Sequence, residues 1–431
     1  MKQRLTLAAH ALQLRGHPRA AWLLASALAV MTARDTEALR LLAWLATEND
    51  DRARALSLCR EVLERCPEDV EALRVLGHLC LSGGEPAEAL AYFERHDRLT
   101  VGQSTIARMY RHAPLDSDRA ELRVPYYSRL EGVLADTAYW SIMTDAGSVH
   151  SADTHGRNLG NSPFVRGRIS PDESTVIASF QPPFVEIGEE CIFVGGDENY
   201  SHWLFRNLLK LCSLEAERLV YTLPWLLNSD LSAFQIEYLD MLGVGPERRV
   251  LVDRGQVVRC QRLVVPALLT SRVTIAQGIE WLRERLARFM APIGPAEELI
   301  YVSRRDARWR HVANEDELYA RLKPLGFRMI VPGRLSVGEQ IGHFSGAKIV
   351  VCVHGAALTN MIFTPADAAI IEINSSALAR MDDFHRIAQA RGQRMVSVIS
   401  KRYTAPQETV NVNADYYADI EAVVREVERS L

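Results

Sequence analysis

The sequence predicts an α/β protein in which two strand-and-helix domains follow an all-α region of helical repeats. Three observations predict it. The first hundred residues align with themselves at an offset of 34, short apolar runs alternate with helical spacing from Cys191 onward, and two such runs end abruptly in small residues. The 431 residues, 48% hydrophobic and 24% charged, have an ordinary globular composition and suffice for two to three domains with their own cores. Fifty basic against 54 acidic residues leave a net charge of -4, so the whole-chain field does not gather nucleic acid or anionic lipid. Phosphate binding must therefore be local. The seven Cys are scattered without a C-x-x-C pair or zinc spacing, which fits reduced thiols in a cytoplasmic protein. The apolar run from Ala20 to Ala33, preceded by Arg15 and Arg19, imitates a signal peptide. It is too short to cross a bilayer, which takes about 20 residues.

The offset of 34 superimposes Ala9, Ala43 and Gly77, then Ala21, Ala55 and Ala89, then Ala25, Cys59 and Phe93, with Leu7, Leu41 and Val75 in the same register. Small residues at these places let two antiparallel helices cross closely. Residues 1–99 thus resemble tetratricopeptide repeats, and the run from Ala20 becomes the second helix of the first repeat. Such repeats either present a concave surface to a polypeptide or partner enzyme, or prop the next domain.

Between Tyr110 and about Glu190 helical periodicity is lost, which places a domain boundary between residues 99 and 120. Asp116-Ser117-Asp118 has the D-x-D form of a metal-holding transferase motif, but no apolar strand leads into it and it reads as a solvated linker. At Cys191 to Val194 an apolar strand runs into Gly195-Gly196-Asp197-Glu198-Asn199, and Trp203, Leu204, Leu208, Leu209 and Leu211 continue at helical spacing. This order puts Asn199 and His202 on the first turn of a helix at the carboxyl end of a strand, the edge where open α/β sheets bind ligands.

The carboxyl half repeats the pattern twice. Leu299 to Val302 is a buried-type strand ending at Ser303-Arg304-Arg305-Asp306, and Asn314-Glu315-Asp316-Glu317 opens the following helix. Arginine at a strand end suits a two-pronged grip on phosphate; the competing reading is a surface pair. Lys348 to Val353 is a nearly continuous apolar run entering His354-Gly355-Ala356-Ala357-Leu358-Thr359-Asn360. Small residues at such a junction let a diphosphate approach the free amides and the positive end of a helix. A tight turn would explain the small residues but not the polar ones around them. Ala368 to Ile373 is another buried strand with Glu372 near its end, placed to accept ribose hydroxyls or simply to meet solvent.

Taken in order, Gly195-Gly196-x-x-Asn199-Tyr200-x-His202-Trp203, Tyr301-x-Ser303-Arg304-Arg305-Asp306-Ala307 with Asn314-Glu315, Glu339-Gln340, and His354 through Asn360 with Glu372 resemble glycosyltransferase family 61 over residues 120 to 400. The resemblance implies a GT-B fold, two Rossmann-like domains facing across a cleft, and an inverting, metal-independent reaction with no cofactor and a nucleotide-sugar donor, expected to be a UDP-sugar. It implies a domain division of 1–99 repeats, 100–285 acceptor-side domain, 286–405 donor domain, and 406–431 a terminal helix crossing back, capped by Asn413 or Asp415. Arg304 and Arg305 would neutralise the leaving diphosphate, His354, Gly355, Ala356, Ala357 and Asn360 would hold it with Asn199, and Glu372 would bind the ribose. His202 is the expected base, since an imidazole titrates near neutrality. Relatives often carry an acidic residue where this chain has Arg206 and Asn207, so Asp197 or Glu198 is expected to supply that carboxylate. The expected partners are a protein or glycan acceptor, held by the repeats or a second copy, with no nucleic acid and no membrane-spanning segment. The alternative is an inactive, transferase-like scaffold that recruits partners through its repeats.

Overall fold

A computed structural model describes residues 2–100, 106–112, 124–150, 165–168, 175–180, 184–294, 298–404, 406 and 410–431. Six helices lead the chain: α1 (Lys2–Leu14), α2 (Pro18–Met31), α3 (Thr36–Glu48), α4 (Arg52–Arg65), α5 (Val70–Ser82) and α6 (Pro86–Thr100). Odd helices begin at 2, 36 and 70, and even ones at 18, 52 and 86, so the 34-residue period read from the sequence is the period of the fold. Aspartates punctuate it. Asp35, Asp51 and Asp69 each accept a first-turn amide, from Ala38 at 2.9 Å, Arg54 at 3.2 Å and Ala72 at 2.9 Å. Ala9, Ala21, Ala25, Ala43, Ala55 and Ala89 are buried where the helices cross. Leu41 is buried, whereas its counterpart Leu7 is 69% exposed.

Beyond α6 lies an eleven-stranded sheet. Its ligand-bearing end is a parallel, Rossmann-like run in the order Arg249–Val252, Trp225–Asn228, Cys191–Gly195 and Val257–Pro266. The last of these pairs antiparallel with Tyr127–Asp136, from which the sheet continues through further short strands to Thr175–Phe180 and Val165–Arg168. That extension ties the repeats to the lobe, since Ile177 enters the core of the helical region. The second sheet has five parallel strands in the order Phe327–Ile330, Glu298–Val302, Ala347–Val353, Ala369–Ser375 and Met395–Ser400. The order expected from the sequence, helical repeats followed by two sheet-and-helix lobes, is the order of the fold.

One apolar core joins the lobes, with Trp203, Leu208, Leu239 and Ile279 of the first packed with Ile300, Val350, Leu358 and Met361 of the second. Buried hydrogen bonds reinforce it. The Tyr200 hydroxyl donates to Asn360 Oδ1 at 2.6 Å and lies 2.8 Å from the Tyr238 hydroxyl, and Asn360 Nδ2 donates to Gln340 at 3.0 Å. Burial holds both phenols above their usual range. The terminal helix, Ile420–Glu428, does not cross back onto the first lobe. Its Val423 and Val427 pack into the core of the second sheet, and its cap is Asp419, while Asp415 accepts the amide of His311. The element that does bridge the lobes is the helix Arg272–Arg285, whose Arg283 donates to the Ile362 carbonyl at 2.7 Å.

The tightest crossing in the repeats gives a test of the packing. A Cβ at Gly77 would lie 2.6 Å from the ring of Phe93, which is 1% exposed. Gly77→Leu gains about 1 kcal/mol in helix propensity but loses roughly 1–3 kcal/mol to overpacking. The net outcome expected in urea unfolding of the full chain is a lowered midpoint, with the loss confined to the repeat transition.

Candidate active site

The first lobe contributes the turn after strand Cys191–Gly195, all of whose residues are buried. Gly195 has φ 93, a left-handed turn that a glycine adopts without strain, and a Cβ at Gly196 would lie 2.2 Å from Asn228 Oδ1. The chain then presents Asp197, and Asn199 caps the helical segment that begins at Tyr200 by accepting the amides of Ser201 at 2.9 Å and His202 at 3.2 Å. Asp197 is 1% exposed, receives the Asn199 amide at 3.1 Å, and stands 3.2 Å from His202 Nδ1. A buried carboxylate thus fixes the imidazole and leaves Nε2 as its remaining ring nitrogen. The helix widens to π-helical geometry over Trp203–Leu208, directly after this residue.

The second lobe contributes the point where strand order reverses. Glu298–Val302 and Ala347–Val353 are neighbours in the sheet, with Val302 opposite Cys352, so the residues that follow them leave the same edge side by side. The fit is close: a Cβ at 355 would be 1.7 Å from Arg304 Nη1, so a side chain there would have to displace the guanidinium. Gly355 leads into a 3-10 helix, Ala356–Phe363, and its amides at the start lack intrahelical acceptors. Arg304 donates through Nη2 to the Trp309 carbonyl at 3.1 Å, while its buried Nε has no hydrogen-bond partner among the described residues. Arg310 is the same: its Nε is buried and unpartnered, and its backbone is left-handed at φ 62. Burial pulls both guanidinium groups below their ordinary range, and for Arg310 the nearby charge of Arg304 adds to the effect. Neither makes an ion pair with a carboxylate among the described residues. Two half-buried guanidinium groups thus stand close together at this junction.

A cavity of about 340 Å³ lies between these halves. Asn199, His202, Arg310, His354, Gly355 and Ala356 line it, with an apolar wall that includes Phe205, Leu269 and Phe384. Of the residues singled out from the sequence, the lining includes Asn199, His202, His354, Gly355 and Ala356, while Arg304 lies against Gly355 and Asp197 beside His202. Glu372 is 1% exposed and does not face the cavity. Its Oε1 lies 2.6 Å from His354 Nδ1 and its Oε2 accepts the Ser397 hydroxyl, so both oxygens are engaged in holding His354, and the ribose role finds no support. Glu198 is solvent-facing and pairs with Arg254 at 3.3 Å, which leaves Asp197 as the carboxylate beside His202. Arg305 pairs with Glu315 at 2.9 Å and Asp316 at 3.1 Å and is not among the residues that line the cavity. Asn360 belongs to the bridge between lobes, and Ala357 packs on their shared core. Asn207 is buried and donates to the Val194 carbonyl at 2.6 Å, a structural role, while Arg206 lines the cavity.

Arg310 escaped the sequence reading because it stands eight residues past the strand end. The tight turn that returns it to the cavity, with the His311 ring 2.7 Å from the Ala307 carbonyl, has no sequence signature beyond its arginines. Cys80, Glu85 and Glu88 are the three-donor grouping among the described residues close enough to hold a metal, and they lie in the repeats, where Arg52 and Arg60 pair with the glutamates. Asp116-Ser117-Asp118 lies outside the described residues.

A solved structure of a mutant O-GlcNAc transferase from Thermobaculum terrenum is similar at 13% identity and a TM-score of 0.22, the match covering 92% of this chain and 57% of that one. The chain therefore spans little more than half the length of that protein. No curated protein matches it. The model of the family described as Glycosyltransferase 61 matches residues 200–371. That matched segment supplies both the His202 turn and the Arg304 and Gly355 junction.

Proposed function

We propose that the protein is an inverting glycosyltransferase that moves a sugar from a nucleotide-sugar, expected to be a UDP-sugar, to a hydroxyl of a protein or glycan acceptor without a metal ion. The observation that carries this reading is a cavity with Gly355 and Arg310 on one wall, the Arg304 guanidinium lying against that glycine, and His202 with Asp197 beside it on the other wall. In a single in-line displacement the acceptor oxygen attacks the anomeric carbon as its proton passes to His202 Nε2. The bond from that carbon to the diphosphate breaks, and its electron pair goes to the departing oxygen. Asp197 keeps the imidazole oriented and stabilises its positive charge once protonated. Arg304, Arg310 and the first amides of the Ala356–Phe363 helix receive the charge on the leaving group. Guanidinium groups keep their charge at every working pH, so fixed protein charge does what a bound divalent cation does elsewhere.

The seat and the base are separable by experiment. Arg304→Ala is expected to weaken nucleoside diphosphate binding about 10- to 100-fold, the loss of one charge-assisted contact of roughly 1.5–3 kcal/mol. Gly355→Ala should do the same by displacing Arg304, with turnover indifferent to EDTA in the parent protein. Titration calorimetry with UDP, alongside nucleoside diphosphate release from a panel of nucleotide-sugars, measures both. Unchanged UDP affinity in the two variants would remove the diphosphate from this junction.

For the base, His202→Ala and Asp197→Asn are expected to lower kcat about 10²- to 10⁴-fold while donor affinity stays within a few-fold. Donor binding without turnover on any acceptor, unaltered by His202→Ala, would instead identify an inactive, transferase-like scaffold.

A further inference from the structure

The first repeat differs from the other two in charge and in surface. Residues 1–34 contain five basic residues and no acidic one, whereas residues 35–68 contain eight acidic against five basic and residues 69–102 six against three. Lys2 and Arg34 are paired with acids of the second repeat, at 2.6 Å to Asp35 and 2.5 Å to Glu61. Arg4, Arg15 and Arg19 are exposed and make no ion pair among the described residues. Along α2, Ala20, Leu23, Ala27, Val30 and Met31 follow each other at spacings of three and four and share one outward face. Leu23 is 70% exposed, Val30 79% and Met31 58%, and Leu14, at the turn into α2, is 81% exposed. The counterparts on α4 are Arg54, Ser57, Glu61, Glu64 and Arg65, and those on α6 are Glu88, Ala91, Arg95, Arg98 and Leu99. Those surfaces are charged, as a solvated face requires. The α2 surface is aliphatic, with Arg15 and Arg19 at its amino end.

We infer that this face of the first repeat docks on an anionic membrane surface, with α2 lying in the plane of the interface. A bilayer offers negative charge at its surface and an apolar phase just beneath, the order in which long arginine stems and aliphatic side chains meet it. Self-pairing fits poorly, since it would bring two surfaces of the same positive charge together. No described helix is long and apolar enough to cross a membrane, so the contact lies on the bilayer rather than through it. The apolar run that imitates a signal peptide thus has a use in the folded protein. A groove of about 500 Å³ opens beside the stripe, walled by Trp22 and Leu23 of α2 and by Leu45 and Ala46 of α3, and extends the apolar contact.

The test is flotation of the full chain with vesicles of phosphatidylcholine alone or with one quarter phosphatidylglycerol. Partition onto the anionic vesicles and not the neutral ones is expected, weakening as salt rises to about 0.5 M. Arg15→Gln with Arg19→Gln should lower partition roughly 30-fold, at about 1 kcal/mol for each basic residue. Leu23→Glu with Val30→Glu should abolish it. All four positions are exposed, so circular dichroism and thermal unfolding should match the parent and exclude misfolding. Absence of binding to anionic vesicles, or binding that neither pair of substitutions alters, overturns the inference. So does self-association in sedimentation velocity that Leu23→Glu with Val30→Glu removes, since that gives the face to a second copy. UDP affinity measured on the same variants should stay at the parent value, so failure here is distinct from failure of the catalytic reading.

Discussion

The site depends on the reversal of strand order in the second sheet. The chain forms Glu298–Val302 first, steps outward to Phe327–Ile330, and returns past its starting point to lay down Ala347–Val353 on the other side. The two strands on either side of the reversal send their next residues out of the same edge, and their helices depart in opposite directions, which leaves a crevice. Arg304 and Gly355 are 51 positions apart in the chain and are brought within contact by this one topological fact. Everything else at the junction adapts to it. A side chain at 355 would displace Arg304, Arg304 is left with a buried Nε unpartnered among the described residues, and Arg310 turns in through a left-handed backbone to add a second charge. A junction with that many unsatisfied cationic groups is poor for stability by itself. It makes sense as a surface finished by a ligand.

Each lobe places a histidine at the cavity and a nearly inaccessible carboxylate behind it: Asp197 behind His202, and Glu372 behind His354. The environments differ in a way that separates their uses. His202 is 40% exposed at its side chain and stands on the first lobe, where it lines the cavity together with Gly355 and Arg310 of the second. His354 is buried, packs edge-on against Phe384, and immediately precedes the glycine against which Arg304 rests. Its ring is part of the seat's wall. The shared apolar core and the Tyr238, Tyr200, Asn360 and Gln340 chain keep these two histidines at a fixed separation, because opening the lobes would strand buried hydroxyl and amide groups. The cavity is therefore preorganised rather than assembled by closure.

The sequence disclosed the repeats almost completely, because a period of 34 leaves a residue-by-residue signature in small side chains and capping aspartates. It also disclosed both strand-end junctions, since an apolar run that stops at a glycine can be read without knowing the sheet. Which way a side chain leaves such a junction was not legible. Glu372 lies within a strand, and strand alternation alone does not say whether the carboxylate faces the crevice or the interior; here a histidine and a serine from adjacent strands capture it. Arg305 sits beside Arg304 but points toward the acidic first turn of Glu315–Leu322, a contact decided by tertiary placement. The extension of the first sheet was illegible for a related reason: its short, polar-interrupted strands have weak periodicity, and it joins the parallel run through the pairing of Tyr127–Asp136 with Val257–Pro266, far along the chain.

The repeats and the transferase lobes form one mechanical unit, and that gives the basic first repeat its significance. α6 is followed by Ile106–His112, a strand that pairs with Thr175–Phe180, and Ile177 from the latter is buried in the helical core. No long flexible linker is therefore needed to join the helical stack to the sheet. The repeats themselves are stiff, since each pair is clamped to the next by buried alanines and by ion pairs such as Arg34 with Glu61 and Arg60 with Glu88. A rigid stack with its adhesive face at one end fixes the distance and angle between whatever that face holds and the cavity at the other end. With a flexible tether, the cavity would sample a broad volume at low effective concentration. With a rigid one it is confined to a thin shell at a set height, so acceptors displayed at that height are favoured without any residue in the cavity having to recognise them.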